Sequence, residues 1–414
     1  MRFKITFIFI LLPIIILSMM QIVIVHAERA YPLGCSTNDS SFYEFEKFPF
    51  PPPGILVKTT DDYMLTRRLG AGKFSDVFEA SDVKLNRNNN ESINPKSLVV
   101  LKCLKPVPER KIKRELLVLS HASQLPNLAR ILAVVIPEDY QPGNKKRYRL
   151  TGMPSLVLEH AGVNSQWLCH PTGAEKGTYL KEEEIQYYLY HLLIALDRLH
   201  RCGIMHRDVK PRNVLIDTNS RTLMLIDLGL ADFYLPDTDY NVRVASRHYK
   251  SPELLLGYTR YDYALDMWGV GCILAGLLLR REPFFRGKDN LDQLGTIVAV
   301  LGTADLHAYM SKYKIKMTSD IRKVIAKYTL EQGGSKKEWK SFVVNKNDSQ
   351  YSPSRQGLDL LSKLLVYDHE QRLTAKQAMQ HSFFDPVREE VEKQIREKEI
   401  TKRSLSSKLL SGID

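Results

Sequence analysis

The stretch His206-Arg207-Asp208-Val209-Lys210-Pro211-Arg212-Asn213 is followed shortly by Leu225-Ile226-Asp227-Leu228-Gly229. Each polar cluster is entered from a short apolar run of the kind that forms a buried strand. Two carboxylates, one amide and one lysine therefore come to lie on two successive loops. Phosphoryl transfer asks for that set. Asp208 can take the proton of an attacking hydroxyl, Asn213 and Asp227 can hold Mg²⁺ against phosphates, and Lys210 can neutralise charge on the moving group.

The pattern H-R-D-x-K-P-x-N followed by D-L-G resembles the catalytic and metal-binding loops of eukaryotic protein kinases. The resemblance implies a bilobal α+β fold, with a small antiparallel β-sheet N-lobe carrying one helix and a larger, mainly helical C-lobe. It implies ATP and Mg²⁺ as cofactors, Asp208, Lys210 and Asn213 as catalytic residues, and Asn213 and Asp227 as metal ligands.

Upstream, Tyr63 to Leu69 reads as a strand, followed by Gly70-Ala71-Gly72-Lys73-Phe74-Ser75-Asp76-Val77. Glycines at 70 and 72 let the backbone approach phosphates where a β-carbon would collide. The stretch lacks the G-K-S/T ending of a Walker A loop. It resembles a kinase glycine-rich loop, which places Gly70, Ala71, Gly72, Lys73, Phe74, Ser75 and Val77 around ATP; Ser75 stands where the third glycine usually sits.

Lys102 lies within the apolar run Leu98 to Leu104, where a charge is costly unless paired. Glu115, on a helix predicted over 111–121, supplies the partner that the kinase pattern expects. Leu156 to Ala161 matches the hinge, with Leu158 as gatekeeper, Glu159 and Ala161 beside the adenine, and Leu215 as its floor. A helix from Glu182 stops at Gly203. A second helix from Asp266, apolar on all sides through Leu279, reads as the buried centre of the C-lobe. Asp266 matches the acid that ties the catalytic loop to that helix, and Arg372 the partner of Glu253.

Longer strings narrow the resemblance. Lys111-Ile112-Lys113-Arg114-Glu115, Gly203 to Pro211, Tyr240 to Arg247, Tyr261-Asp262-Tyr263 and Glu282-Pro283-Phe284-Phe285 look like the catalytic subunit of casein kinase II. Leu228 and Leu215 depart from that family's Trp and Met. This resemblance implies a constitutively active serine/threonine kinase acting on acidic protein substrates. Arg243, Arg247, Lys250, Lys105 and Lys111 are the substrate-binding candidates. Arg207 needs an acidic partner, which Asp237 or Asp239 is expected to supply without phosphorylation. A regulatory subunit of the same family would dock on the N-lobe through Leu65, Phe78, Leu101 and Val157. The rival reading, a secretory-pathway pseudokinase or scaffold, expects loss of Lys102, Asp208, Asn213 or Asp227, and all four are present.

Composition fits this picture. The chain has 414 residues, 44% of them hydrophobic, enough for a large core with extensions at each end. Its net charge of +12 favours acidic partners. No aromatic residues interleave with basic ones as in an RNA-binding sheet, so no specific nucleic-acid site is expected. The five cysteines show neither metal-ligand spacing nor a disulfide framework.

Arg2 and Lys4 precede an apolar run from Ile5 to Val25. Val25-His26-Ala27 offers small residues for cleavage, so residues 1–27 read as a signal peptide, or as a signal-anchor if uncleaved. Either places the remainder in the secretory pathway and makes this segment the only membrane contact. Sequons at Asn38, Asn90 and Asn347 are compatible with that side. If the segment is unused, the nucleus or cytoplasm is the alternative. Residues 28–60 read as an extended proline- and aromatic-rich arm and 61–386 as the kinase domain, divided at 160/161 into N-lobe and C-lobe. Residues 387–414 read as a charged tail that begins as a solvated helix.

Overall fold

The computed structural model describes residues 49–86, 94–137, 152–168, 179–343 and 351–397. The hydrophobic start, Cys35, Cys169, the three sequons, the Tyr43–Glu46 part of the arm and the last residues of the tail lie outside them.

The N-lobe is a sheet of β1 (Leu56–Lys58), β2 (Tyr63–Ala71), β3 (Ser75–Asp82), β4 (Leu98–Leu104), β5 (Ile131–Val135) and β6 (Ser155–Glu159), in the order β1-β5-β6-β4-β3-β2. β2 to β6 pair antiparallel as expected, but β1 runs parallel to β5, so the sheet is mixed. The end of the proline-rich arm supplies that extra edge strand.

The period-two alternation of β4 sorts its side chains. Val99 and Leu101 are buried with Ala80, Ala133, Val135 and Val157. Val100 and Lys102, on the other face, line the cleft between the lobes. Of the four residues expected to form a regulatory docking patch, Leu65 is 54% exposed, whereas Leu101 and Val157 are buried and Phe78 is half-buried. Helix α1 (Glu109–Ala122) buries Ile112, Glu115, Leu116 and Leu119 along one stripe.

The C-lobe is built on α2 (Glu182–Arg201) and α3 (Ala264–Leu278). After α2, Gly203 takes φ +72°, a left-handed stop that glycine adopts without strain. Every residue of α3 from Leu265 to Gly276 is buried, as a sequence apolar on all sides after Asp266 requires. Gly269 brings this helix against the catalytic loop, for a β-carbon there would meet Val209 O at 2.7 Å. α4 (Asn290–Leu301), α5 (Ala304–Lys312), α6 (Ser319–Gln332) and α7 (Arg355–Leu364) complete the lobe.

The tail departs from expectation. Residues 385–397 are helical but not solvated on all sides, because Val387 and Val391 are buried. Tyr190 Oη donates to Glu392 at 2.9 Å and Tyr187 Oη to Gln394 at 2.9 Å, docking this segment on α2. Among the described residues no helix is long and apolar enough to cross a membrane.

Candidate active site

Lys102 reaches the cleft from the centre of β4. Its Nζ donates to Glu115 Oε1 of α1 and to Asp227 Oδ1, both at 2.7 Å. Burial works against the ammonium, but the charges of Glu115 and Asp227 outweigh it and hold the Lys102 pKa above its ordinary value. The Lys102 charge beside Asp227 lowers that carboxyl to about 2, so it is ionised throughout the physiological range. Asp227 sits in a left-handed conformation, φ +64°, with its side chain 44% exposed toward the cleft. Gly229 makes this cluster possible: a β-carbon there would lie 3.1 Å from Lys102 Nζ and 3.2 Å from Asp227 Oδ1.

The catalytic loop lies between β7 (Ile204–Met205) and β8 (Val214–Asp217), and β8 pairs with β9 (Thr222–Leu225), which leads directly to Asp227. Asp266 of α3 fixes the loop's backbone. Its Oδ2 accepts from His206 N and its Oδ1 from Arg207 N, both at 2.8 Å, while His200 Nε2 lies 2.9 Å from Oδ2. A fully buried carboxylate with three partners of this kind is a rigid peg.

That peg presents Asp208. Its Oδ2 lies 2.5 Å from Lys210 Nζ and 3.1 Å from Asn213 Nδ2, and its Oδ1 accepts from Ser246 N at 2.9 Å. Ser246 Oγ lies 3.0 Å from the same Oδ1 and 2.8 Å from Lys210 Nζ. Both amide hydrogens of Asn213 are engaged, one by Asp208 O at 2.8 Å, so its Oδ1 is left to accept from or ligate another group. Neutral oxygen plus an ionised carboxylate suits Mg²⁺, which takes few protein ligands and completes its shell with phosphate and water.

The cleft behind these groups has a volume of about 700 Å³. Gly70, Ala71, Ser75, Val77, Glu159, Ala161 and Leu215 all line it. Glu159 N is already bonded to Arg130 O and its carboxylate to the Arg130 guanidinium, so neither group is open to a ligand. No protein atom lies within 4 Å of a β-carbon built at Gly70, so packing of the protein does not demand glycine there. The open space at the tip of β2 fits a phosphate chain.

A second hollow, of about 830 Å³, opens on the other side of Lys102, Lys210 and Asp227. Lys73, Phe74, Glu115, Lys111 and Arg243 line it, and Lys111 Nζ stands 5.0 Å over the Phe74 ring. Arg243 and Arg247 are exposed beside Ser246.

Two of the expected substrate cations are placed otherwise. Lys250 is buried and donates to the carbonyls of Val244 and Val242, so its ammonium braces the loop that carries Ser246 instead of facing the groove. Lys105 donates to Gly72 O at 2.8 Å and pairs with Asp76 at 3.1 Å, fastening the glycine turn.

The acid beside Arg207 is also a different one from those expected. Arg207 Nη2 lies 2.9 Å from Asp232 Oδ2, while Asp239 pairs with Thr259 and Arg260. Asp232 carried no recognisable signal, and Ser246 stood out only as part of the Tyr240 to Arg247 string. Their roles arise from where the segment after Asp227 folds back onto the loop. The Glu253–Arg372 pair is as expected: two bonds of 2.7 Å, both side chains fully buried.

A family model for the protein kinase domain matches residues 63–384, from the first long strand of the N-lobe to the last buried turn before the tail helix.

Proposed function

The chain belongs to the protein kinase family and is on that ground a phosphotransferase, and from this premise we propose that it is an active, ATP-dependent serine/threonine kinase of the casein kinase II type. The observation that carries this reading is the convergence of Lys102, Lys210, Asn213 and Asp227 on one cleft, with Asp208, bonded to Lys210 and Asn213, facing the hollow beside it. A scaffold that had abandoned catalysis would have no reason to keep five polar side chains in mutual register.

Lys102, positioned by Glu115, would hold the α and β phosphates, and Asn213 Oδ1 with Asp227 would hold Mg²⁺. When bound, ATP supplies the phosphoryl group and Mg²⁺ offsets its charge. The adenine would rest between Val77, Leu158 and Leu215, against the Glu159 carbonyl and the Ala161 amide. Asp208 Oδ1 would orient an incoming hydroxyl and take its proton; that it accepts from the Ser246 hydroxyl at 3.0 Å supports this role. Lys210 balances charge on the group in flight.

Arg243, Arg247 and Lys111, with Arg110 nearby, support acidic protein substrates, since exposed cations flanking the acceptor draw carboxylates by field and by pairing. Secretory targeting through residues 1–27, and a regulatory subunit on the N-lobe near Leu65, remain parts of the same proposal. A carboxyl-terminally tagged chain that neither shortens nor gains glycans in cells would remove the first.

The deciding experiment compares casein phosphorylation by the wild-type chain and by Asp208→Ala. A loss on the order of a thousandfold is expected, because base and positioning vanish together. Equal incorporation would remove the kinase assignment.

A further inference from the structure

A large block of positive charge lies away from the cleft. Residues 312–340 contain nine lysines and arginines against three acids, a net +6, which is half of the whole chain's +12. Ordinary surfaces mix signs, and neighbouring cations repel unless acids separate them.

Here most are not separated. Lys312 pairs with Asp368 and Glu370, and Lys323 stands 3.7 Å from Asp320. Lys314, Lys316, Arg322, Lys327, Lys336, Lys337 and Lys340 make no ion pair with any described residue. On α6 the two faces are cleanly divided. Ile321 and Ile325 are buried, while Arg322, Lys323, Ala326, Lys327 and Leu330 form an outward stripe at helical spacing. Leu330 ends that stripe at 87% exposure, the most exposed of the large hydrophobic residues described.

The stripe is coupled to the substrate side of the C-lobe. α6 packs on α4, where a β-carbon at Gly295 would touch the Tyr328 ring at 3.1 Å. α4 in turn holds the segment after Ser246, with Gln293 Nε2 donating to His248 O at 3.2 Å.

We propose that the outward face of α6, from Arg322 to Leu330, is a docking surface for an acidic stretch of the protein substrate remote from the phosphoacceptor. This rests on the kinase reading above. Charge complementarity selects the occupant: carboxylates oppose Arg322, Lys323 and Lys327, and one apolar side chain of the same segment covers Leu330. Such a surface raises the local concentration of long acidic substrates and leaves short peptides, which span only the cleft, untouched.

The test uses the full chain and the triple variant Arg322→Gln, Lys323→Gln, Lys327→Gln, with Leu330→Gln as a second, separate variant. All four side chains are exposed, so folding is expected to be retained, and unchanged thermal unfolding checks it. KM for casein should rise about tenfold in the triple variant, with kcat unchanged. KM for a short peptide of one serine followed by glutamates should stay the same. Leu330→Gln should give a smaller rise of the same kind.

Direct binding of fluorescent casein to the Asp208→Ala chain, with and without the triple change, reads the surface without catalysis. If phosphorylation fails but this binding weakens about tenfold, the kinase reading falls and the surface stands. Unchanged casein binding overturns the proposal. So does a triple variant that keeps casein binding but loses sedimentation with phosphatidylserine-containing vesicles, since the face would then belong to a membrane.

Discussion

Asp232 Oδ2 lies 2.9 Å from Arg207 Nη2, and the same oxygen lies 3.1 Å from Arg114 Nη1. One carboxylate thereby joins the catalytic loop to α1, the helix that carries Glu115. Arg207 is also held by Leu230 O at 2.7 Å and Tyr261 Oη at 3.2 Å, so its guanidinium is committed without any phosphate. Burial works against the Arg114 charge, and its pKa is below the ordinary arginine value despite Asp232.

Removing that carboxylate strands two guanidinium groups next to each other. Asp232→Asn should lower kcat/KM of protein made in bacteria by about tenfold to a hundredfold, as α1 and Glu115 drift from Lys102. Asp237→Asn should stay within about twofold, because Asp237 is not the partner of Arg207. Steady-state kinetics on both variants checks this, and equal losses would return the role to Asp237.

At Gly229 the difficulty is steric. A methyl group would press against Lys102 Nζ and Asp227 Oδ1 at 3.1 and 3.2 Å, and against Glu115 Oε2 at 3.4 Å. Gly229→Ala should therefore weaken ATP affinity about tenfold while costing only about 1–2 kcal/mol of stability. Nucleotide titration beside a denaturant melt separates the two effects. An unchanged ATP affinity would mean that the cluster relaxes freely.

The depressed pKa of Asp227 has a definite sign in pH. Its folded value of about 2 lies below that of an unfolded carboxyl, about 3.9, so its pairing with Lys102 stabilises the fold above the unfolded value. That contribution is lost as pH falls through the window from about 4 to about 2. Wild type should thus be more stable than Asp227→Asn at neutral pH, with the gap closing across this window. Parallel acid titrations of unfolding would show it, and a gap independent of pH would contradict it.

Arg372 and Glu253 are both wholly shielded from water. Burial works against the Glu253 carboxylate, but the Arg372 charge outweighs it and keeps that pKa below its ordinary value. Breaking such a pair leaves an uncompensated charge, so Arg372→Ala should destabilise by about 3–5 kcal/mol. The double change Arg372→Met, Glu253→Leu should cost clearly less than either single truncation, as urea unfolding would reveal.

Much of this molecule was readable from its linear order. Asp208, Asn213 and Asp227 sit at fixed spacings on loops that follow apolar strands, and local chemistry is enough to recognise them. Lys102 within a buried run announces a missing partner, and the helical stripe of Ile112, Leu116 and Leu119 points to Glu115. The sequence of α3, apolar on all sides after Asp266, likewise leaves no choice but burial.

What depended on three dimensions is every contact made across a long separation by a residue with no local pattern. Asp232 rather than Asp237 meets Arg207, because the chain after Asp227 turns back beneath α1. Lys250 points inward because the fold brings the carbonyls of Val242 and Val244 within reach of its ammonium, which burial would otherwise penalise. The tail helix docks because Val387 and Val391 join the buried core while Glu392 and Gln394 bond to α2, and the face of α6 becomes one surface only once Ile321 and Ile325 choose its other side. Sequence specifies which groups are present and how neighbours along the chain will repeat; only packing decides which distant charges share an oxygen, since that turns on ångströms no spacing encodes.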